Sequence, residues 1–455
     1  MLKNIRISSV HFIPLSFLFM MIIGTILLLL PVSIAPGGET GIVTALFTST
    51  TSVCVTGLVV KDTYSNWSVF GQTVILILVQ IGGLGVVAVG SFIMHVGRKK
   101  FSLSERKLIG DSLNVEKNRG LLAFLTRIFK GVFLVEGIGT VLYAVKFIPR
   151  FGFGKGLRAS LFQSVSAFCN AGMDIVGPNS MMEFRDSGYL MYVTMALIIL
   201  GGIGFVVWFD VIDGILDGIK NHFGPNAILK HLSEHSKIVL VMTAFLLAIG
   251  TVIILAAEYD NPETIGNMGL SDKILNSLFQ SVTFRTAGFA SVPQEGLTET
   301  SCILGYILMF IGGSPVGTAG GVKTVTAFLV FMNAISYVCG EKENVVFKRR
   351  VSEEQMRKAA AVVFVSAGAI FVMTILLLSR GGITLTDALY EVISALATVG
   401  LSRSLTPKLD TIGRLIIIVS MYLGRIGPIS MAIFFTKGNG AQNKIRHAEG
   451  TFYVG

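Results

Sequence analysis

The chain has 455 residues, 52% of them hydrophobic and only 14% charged, where a soluble domain carries about 25% charged residues. That balance excludes a water-soluble globular fold and points to a lipid bilayer as the solvent. The net charge of +10 does not imply nucleic acid, because the basic residues gather at 98–130, 220–237, 342–358 and the ends of the chain (Lys3, Arg6, Lys437, Lys444, Arg446), between apolar stretches. Under the positive-inside rule this distribution predicts that both termini and the three long connections are cytoplasmic.

A helix needs about 20 apolar residues to cross a bilayer. In chain order, candidate spans run over 12–35, 69–94, 131–145, 188–209, 238–257, 301–322, 359–379 and 415–436. The 131–145 stretch is the weakest because it contains Glu136, and the last contains Arg425. The first is long enough to span and lacks a cleavage site, so it is expected to be a span and not a removed leader. Cys54, Cys169, Cys302 and Cys339 show no CxxC spacing, which argues against a zinc site or disulfide framework and reads them as small core hydrophobes.

Four segments align with one another: LFTSTTSVCVTGL from Leu46, LFQSVSAFCNAGM from Leu161, LFQSVTFRTAGF from Leu278 and LYEVISALATVGL from Leu389, the third one residue shorter. Their glycines, Gly57, Gly172, Gly288 and Gly400, lie 115, 116 and 112 residues apart. The chain therefore divides into repeats at 1–95, 121–219, 237–335 and 359–437, joined by connections at 96–120, 220–236 and 336–358 and followed by a tail at 438–455. Each repeat reads as a span, an amphipathic stretch of about ten residues ending at the glycine, and a second span. Such a stretch is too short to cross and fits a re-entrant segment. The second spans carry IGGLG from Ile81, LGGIG from Leu200, IGGSPVGTAGG from Ile311 and YLGRIG from Tyr422. Basic clusters between repeats give all four the same orientation, and parallel repeats can surround an axis normal to the membrane. The predicted fold is all-α and membrane-integral: four parallel span–re-entrant pore loop–span repeats around a central pore, with eight full spans.

Irregular backbone at membrane depth must be buried in protein or line a watery cavity. Four loops meeting on one axis satisfy this together, and their carbonyls can replace the hydration shell of an ion. The candidate filter is Val55, Thr56 and Gly57; Asn170, Ala171 and Gly172; Thr286, Ala287 and Gly288; and Thr398, Val399 and Gly400. Glycine accepts positive φ, and a short helix ending there presents roughly half a negative charge. Both features favour cations. Glycines in membrane helices also serve close packing, which is the preferred reading for Gly82, Gly83, Gly201 and Gly202.

In the third repeat Gly312, Gly313, Ser314, Pro315, Val316, Gly317, Thr318, Ala319, Gly320 and Gly321 interrupt the second span. A glycine costs about 1 kcal/mol and a proline about 3 kcal/mol in a helix interior, so this span is expected to break, unlike the other three, and to face the pore as a gate. Arg425 is an intramembrane charge and hence a functional candidate; it is expected to hold the loop by its carbonyls or to act as a structural tether. Lys323 is expected to snorkel to the cytoplasmic interface. Arg403 either repels cations at the outer mouth or pairs with a nearby acid. Residues 83–88 and 317–324 imitate nucleotide loops, but the first lies within an apolar span and Val322 precedes the lysine where glycine is required. Neither binds nucleotide on this reading, and no enzyme constellation stands out.

The strings VCVTGLVV, FCNAGM, VTFRTAGF, ATVGL, MFIGGSPVGTAGGVKT and MYLGRIGP together span nearly the whole chain. They resemble the membrane subunit of a Ktr-type potassium uptake system within the Trk/Ktr/HKT superfamily. The resemblance implies K⁺ uptake, often influenced by Na⁺, with K⁺ preference because all four filter glycines are present. It also implies an intramembrane gate, a homodimer with one pore per protomer, and control by a cytosolic ring that binds adenine nucleotides, so that nucleotide acts only through a partner. A Na⁺- or H⁺-coupled symporter and a weakly selective cation channel remain as alternatives.

Overall fold

The computed structural model describes residues 9–97, 103–113, 120–221, 232–341 and 343–427. Lys3, Arg6, the tail 438–455, most of the 220–236 connection and the end of the 415–436 stretch lie outside the described residues.

Four long helices, Ser9–Leu29, Leu121–Phe151, Glu234–Glu258 and Glu353–Leu378, open the four quarters of the chain. Each contains a stretch long and apolar enough to cross a membrane. A shorter helix follows each: Ile42–Cys54, Phe153–Cys169, Leu270–Phe284 and Leu385–Leu396. These have 12 to 17 residues, more than the ten expected, because residues ahead of each Leu-Phe or Leu-Tyr pair are wound into them. A second helix then closes each quarter: Val69–Leu84, Gly188–Gly202, Glu299–Phe310 and Thr411–Ile426. Ser68, Thr298 and Asp410 cap three of these, each accepting from the backbone N–H three residues on, which satisfies a donor the helix itself cannot.

The second helices differ from the eight full spans expected. They contain only 12 to 16 residues, and the stretches 69–94 and 188–209 are each broken, bending by 94° and 100° into Val86–Val96 and Phe205–Lys220. The cause is a glycine at each bend, Gly85 at φ 90° and Gly204 at φ 89°, with Gly427 at φ 92° ending the fourth. That conformation stops an α-helix and is open mainly to glycine. The third quarter is therefore not alone in breaking; it differs in placing a segment, 311–323, where the first has Gly85 alone and the second Ile203 and Gly204. Among the described residues, four helices are of spanning length by themselves, or up to six if each bent pair counts as one. The 336–358 connection holds an antiparallel hairpin of two-residue strands, Val345–Val346 with Arg349–Arg350, which departs from the all-α fold expected. Cys54, Cys169 and Cys302 are buried as expected, whereas Cys339 is exposed.

Polarity is arranged from inside to outside. Phe19, Val141, Val252 and Phe364 on the long helices are more than half exposed, while Thr48 to Ser52, Ser164, Ser166 and Thr283 on the short helices are buried. Each short helix also buries the aromatic at the second place of its aligned segment: Phe47, Phe162, Phe279 and Tyr390. In three quarters a serine two places further on bonds the long helix: Ser49 to the Met21 carbonyl at 2.7 Å, Ser164 to that of Glu136 at 2.7 Å, and Ser281 to that of Leu247 at 3.0 Å. Gly24, Gly139 and Gly250 lie opposite these serines, with no space for a Cβ. The fourth quarter has Val392 in that place and lacks the bond.

Gly139→Val should cost about 1–3 kcal/mol through overpacking, since its first carbon already lies 2.9 Å from Leu197 Cδ1. Gly137→Val on the same helix points into open space and should be tolerated. Thermal midpoints of the two solubilised variants check this.

Candidate functional site: a glycine ring above a broken segment

The first two short helices are capped by a residue at positive φ, Val55 at 57° and Asn170 at 59°, and in the third and fourth the residue just past the cap takes that conformation, Thr286 at 67° and Thr398 at 51°. Two residues later stand Gly57, Gly172, Gly288 and Gly400 at 99°, 64°, 85° and 95°. Positive φ is unfavourable for valine and threonine, so the surrounding structure must hold these turns.

The four glycines form a closed cycle. A Cβ at Gly57 would lie 2.5 Å from the Ala171 carbonyl oxygen, and one at Gly172 would lie 2.8 Å from that of Ala287. A Cβ at Gly288 would strike the Val399 carbonyl, and one at Gly400 would strike that of Thr56 while lying 2.8 Å from Gly57 Cα. Each quarter thus meets the next through the carbonyl just before its glycine, and the fourth returns to the first. The ring brings together Thr56, Gly57, Ala171, Gly172, Ala287, Gly288, Val399 and Gly400, with Val55, Asn170, Thr286 and Thr398 at the turns that lead into it, and the approach of backbone to backbone leaves no place for a side chain.

Four hydroxyls that sequence reasoning missed support this ring. The Gly57 N–H donates to Thr51 Oγ1 at 2.9 Å and the Gly400 N–H to Ser394 Oγ at 3.1 Å. Ser166 Oγ donates to the Met173 carbonyl at 2.5 Å and Thr283 Oγ1 to that of Phe289 at 2.7 Å. Thr51, Ser166, Thr283 and Ser394 all occupy the sixth place of the aligned segments. A hydroxyl in every copy was the available signal. Thr56, Thr286 and Thr398 Oγ1 and Asn170 Nδ2 are buried with no protein partner. Like the loop carbonyls, these hydroxyls are uncharged oxygens, a chemistry that suits a hard cation and not an anion.

The broken segment lies against this ring. The Ser314 N–H donates to the Gly202 carbonyl at 2.8 Å, the Thr318 N–H to that of Gly201 at 3.1 Å, and the Phe205 N–H to that of Val316 at 2.9 Å. These bonds seat Ser314, Pro315, Val316, Gly317 and Thr318 on the second quarter's bend. Thr318 Oγ1 also reaches the Phe168 carbonyl at 3.0 Å, and a Cβ on Gly320 would lie 2.5 Å from the Ala397 oxygen. Gly312 and Gly313 pair with Val322 and Gly320, while Ala319 and Gly321 complete the turn. Arg425 Nη1 donates to the Thr318 carbonyl at 2.8 Å, and its Nη2 to those of Gly82 at 2.5 Å and Gly83 at 3.1 Å. It ties the segment to the first quarter, as expected from its burial. A cavity of about 280 Å³ opens beside these groups, lined by Gly83, Val316, Ala319, Lys323, Ala397 and Arg425.

Two expectations need correction and one choice is resolved. Lys323 does not snorkel outward; its Nζ bonds the Ala319 carbonyl at 2.6 Å, because the break frees carbonyls that need donors. Gly82, Gly83 and Gly201 are packing glycines that abut Val53, Cys169 and Phe168, but Gly202 has ordinary room for a Cβ and instead offers its carbonyl to Ser314. Arg403 pairs with Asp387 at 2.9 Å and also donates to the Gln294 and Leu297 carbonyls, so it is held by an acid of its own quarter.

These helices make the chain a multi-pass membrane protein. Residues 12–445 match the TrkH family model, described as a cation transport protein. The chain is 36% identical over 454 residues to Ktr system potassium uptake protein B of Bacillus subtilis, covering 100% of this chain and 98% of that one. It is 35% identical to the potassium/sodium uptake protein NtpJ of Enterococcus hirae, covering 99% and 98%. The crystal structure of the potassium transporter TrkH from Vibrio parahaemolyticus has the same fold, with a TM-score of 0.75 at 16% identity over 96% of this chain and 86% of that chain. The chain belongs to the TrkH family of cation transport proteins.

Thr51→Val should leave the buried Gly57 N–H without a partner, at a cost of about 1–3 kcal/mol. Thermal unfolding of the solubilised protein should show the loss, and Thr51→Ser should restore it.

Proposed function

We propose that the chain takes up K⁺ through a central pore whose filter is the cycle of Gly57, Gly172, Gly288 and Gly400 and the carbonyls between them. The observation that carries this reading is the cycle itself: four backbones meet closely enough to offer oxygens that replace an ion's water. Four parallel repeats around one axis supply the loops. The short helices direct their negative ends to the ring, which favours a cation. The relatives named for potassium uptake support K⁺ as the cargo.

Segment 312–321 is the gate in this reading, with Arg425 holding it closed while placing a positive charge beside the path. The relatives' names describe a Ktr system, which supports a partner component. On the family resemblance, that partner is a cytosolic ring that binds nucleotide, and the chain works as a homodimer with one pore per protomer. One relative is named for both potassium and sodium, and this favours a second reading in which Na⁺ is coupled to transport or passes with little discrimination. Ohmic current with a K⁺-dominated reversal potential supports the pore; fixed Na⁺ or H⁺ stoichiometry supports coupling.

Gly57→Ser in proteoliposomes should lose discrimination of radioactive rubidium against sodium. If serine at each of the four glycines leaves selectivity intact, the filter is misplaced. Arg425→Ala should raise flux and keep K⁺ preference; an unchanged or reduced flux at equal protein amount counts against the gate.

A further inference from the structure

Arg285 caps the short helix of the third quarter, immediately before Thr286, Ala287 and Gly288. It is only 8% exposed, and no carboxylate appears among its hydrogen bonds or ion pairs in the described residues. Its Nη2 donates to the Gly312 carbonyl at 3.2 Å. Its Nε has no partner, nor has Thr243 Oγ1, and both residues line a cavity of about 20 Å³ walled by Ile198, Ile199, Leu247 and Val282, enough for one water. A guanidinium in such surroundings is costly, so a neutral side chain would serve unless the charge has work to do.

Two tasks fit the position. Arg285 can offset the negative end of its own helix, which would weaken cation binding at the ring, or it can grip the broken segment. The contact favours the second, since the guanidinium crosses to the first glycine of 312–321, whose carbonyl the break has released from helical pairing. Arg425 and Lys323 hold the other end, at the Thr318 and Ala319 carbonyls.

We infer that Arg285 is a positioning residue of the gate, fixing the Gly312 end of the segment to the third filter loop while Arg425 fixes the Thr318 end. The inference rests on the gate reading above. It makes the segment a strap fastened at two points, so releasing Arg425 alone frees only one end, and the end that remains is attached directly to a filter loop.

The test measures radioactive rubidium flux against concentration in reconstituted full-length wild type, Arg285→Gln, Arg285→Lys, Arg425→Ala and the Arg285→Gln/Arg425→Ala double variant. Losing one charge-assisted hydrogen bond shifts an open–closed balance by about tenfold. Arg285→Gln should raise maximal flux by about that factor, with half-saturation and the rubidium-to-sodium ratio unchanged, and Arg285→Lys should stay near wild type. The double variant should gain less than the product of the singles, because both act on one segment. A changed half-saturation or ion ratio without increased maximal flux assigns Arg285 to the helix dipole and overturns the inference. So does a rise in Arg425→Ala with none in Arg285→Gln. No rise in either variant sinks the gate reading itself and this inference with it. Should Arg285→Gln fail to fold, hydrogen exchange in Arg425→Ala decides: amides 317–319 should lose protection while 312–313 keep it. Loss at both ends together means that Arg285 holds nothing.

Discussion

Between neighbouring quarters at Gly57, Gly172, Gly288 and Gly400 there is no room even for a methyl group, because each Cα faces the carbonyl of the next quarter. This contact sets much of the rest of the structure. Backbones that approach so closely cannot pair as helix or sheet, so each loop is held by hydroxyls one helical turn back, at Thr51, Ser166, Thr283 and Ser394. The short helices must then lie deep inside the molecule, which makes their serines and threonines buried and leaves the long helices to face lipid.

The same accounting explains the broken segment. Lipid satisfies no peptide group, so every N–H and carbonyl released at Gly312 to Gly321 needs a protein partner or water. Some are met by the bends at Gly201 to Gly204, and others by the side chains of Arg285, Lys323 and Arg425. Two arginines and a lysine gathered around one irregular segment make its present position dependent on those contacts. The segment is thus held by backbone bonds to the second quarter and within itself as well as by these side chains, with a cavity alongside.

The four quarters are alike in plan and unequal in detail. Val392 replaces the serine that bonds the long helix in the other three, and only the third short helix ends in a buried arginine. The ring hydroxyls accept from a glycine N–H in the first and fourth quarters but donate to a carbonyl in the second and third. The four sides of the ring are therefore not equivalent.

The sequence by itself determined that the chain lives in lipid, that four segments are copies with their glycines in register, and that the third copy carries an interruption no helix tolerates. Those features depend on composition and local conformational cost, which are readable along one strand. It also marked Arg425, since an isolated charge in an apolar stretch needs a partner. Only the tertiary structure decided which carbonyl each glycine meets, that Gly85 and Gly204 bend their spans, that Lys323 turns inward, and that Arg285 reaches Gly312. Each of these depends on donors and acceptors from segments distant along the chain, and the shortage of water inside the molecule makes their pairing obligatory without indicating, in the local sequence, who the partner is.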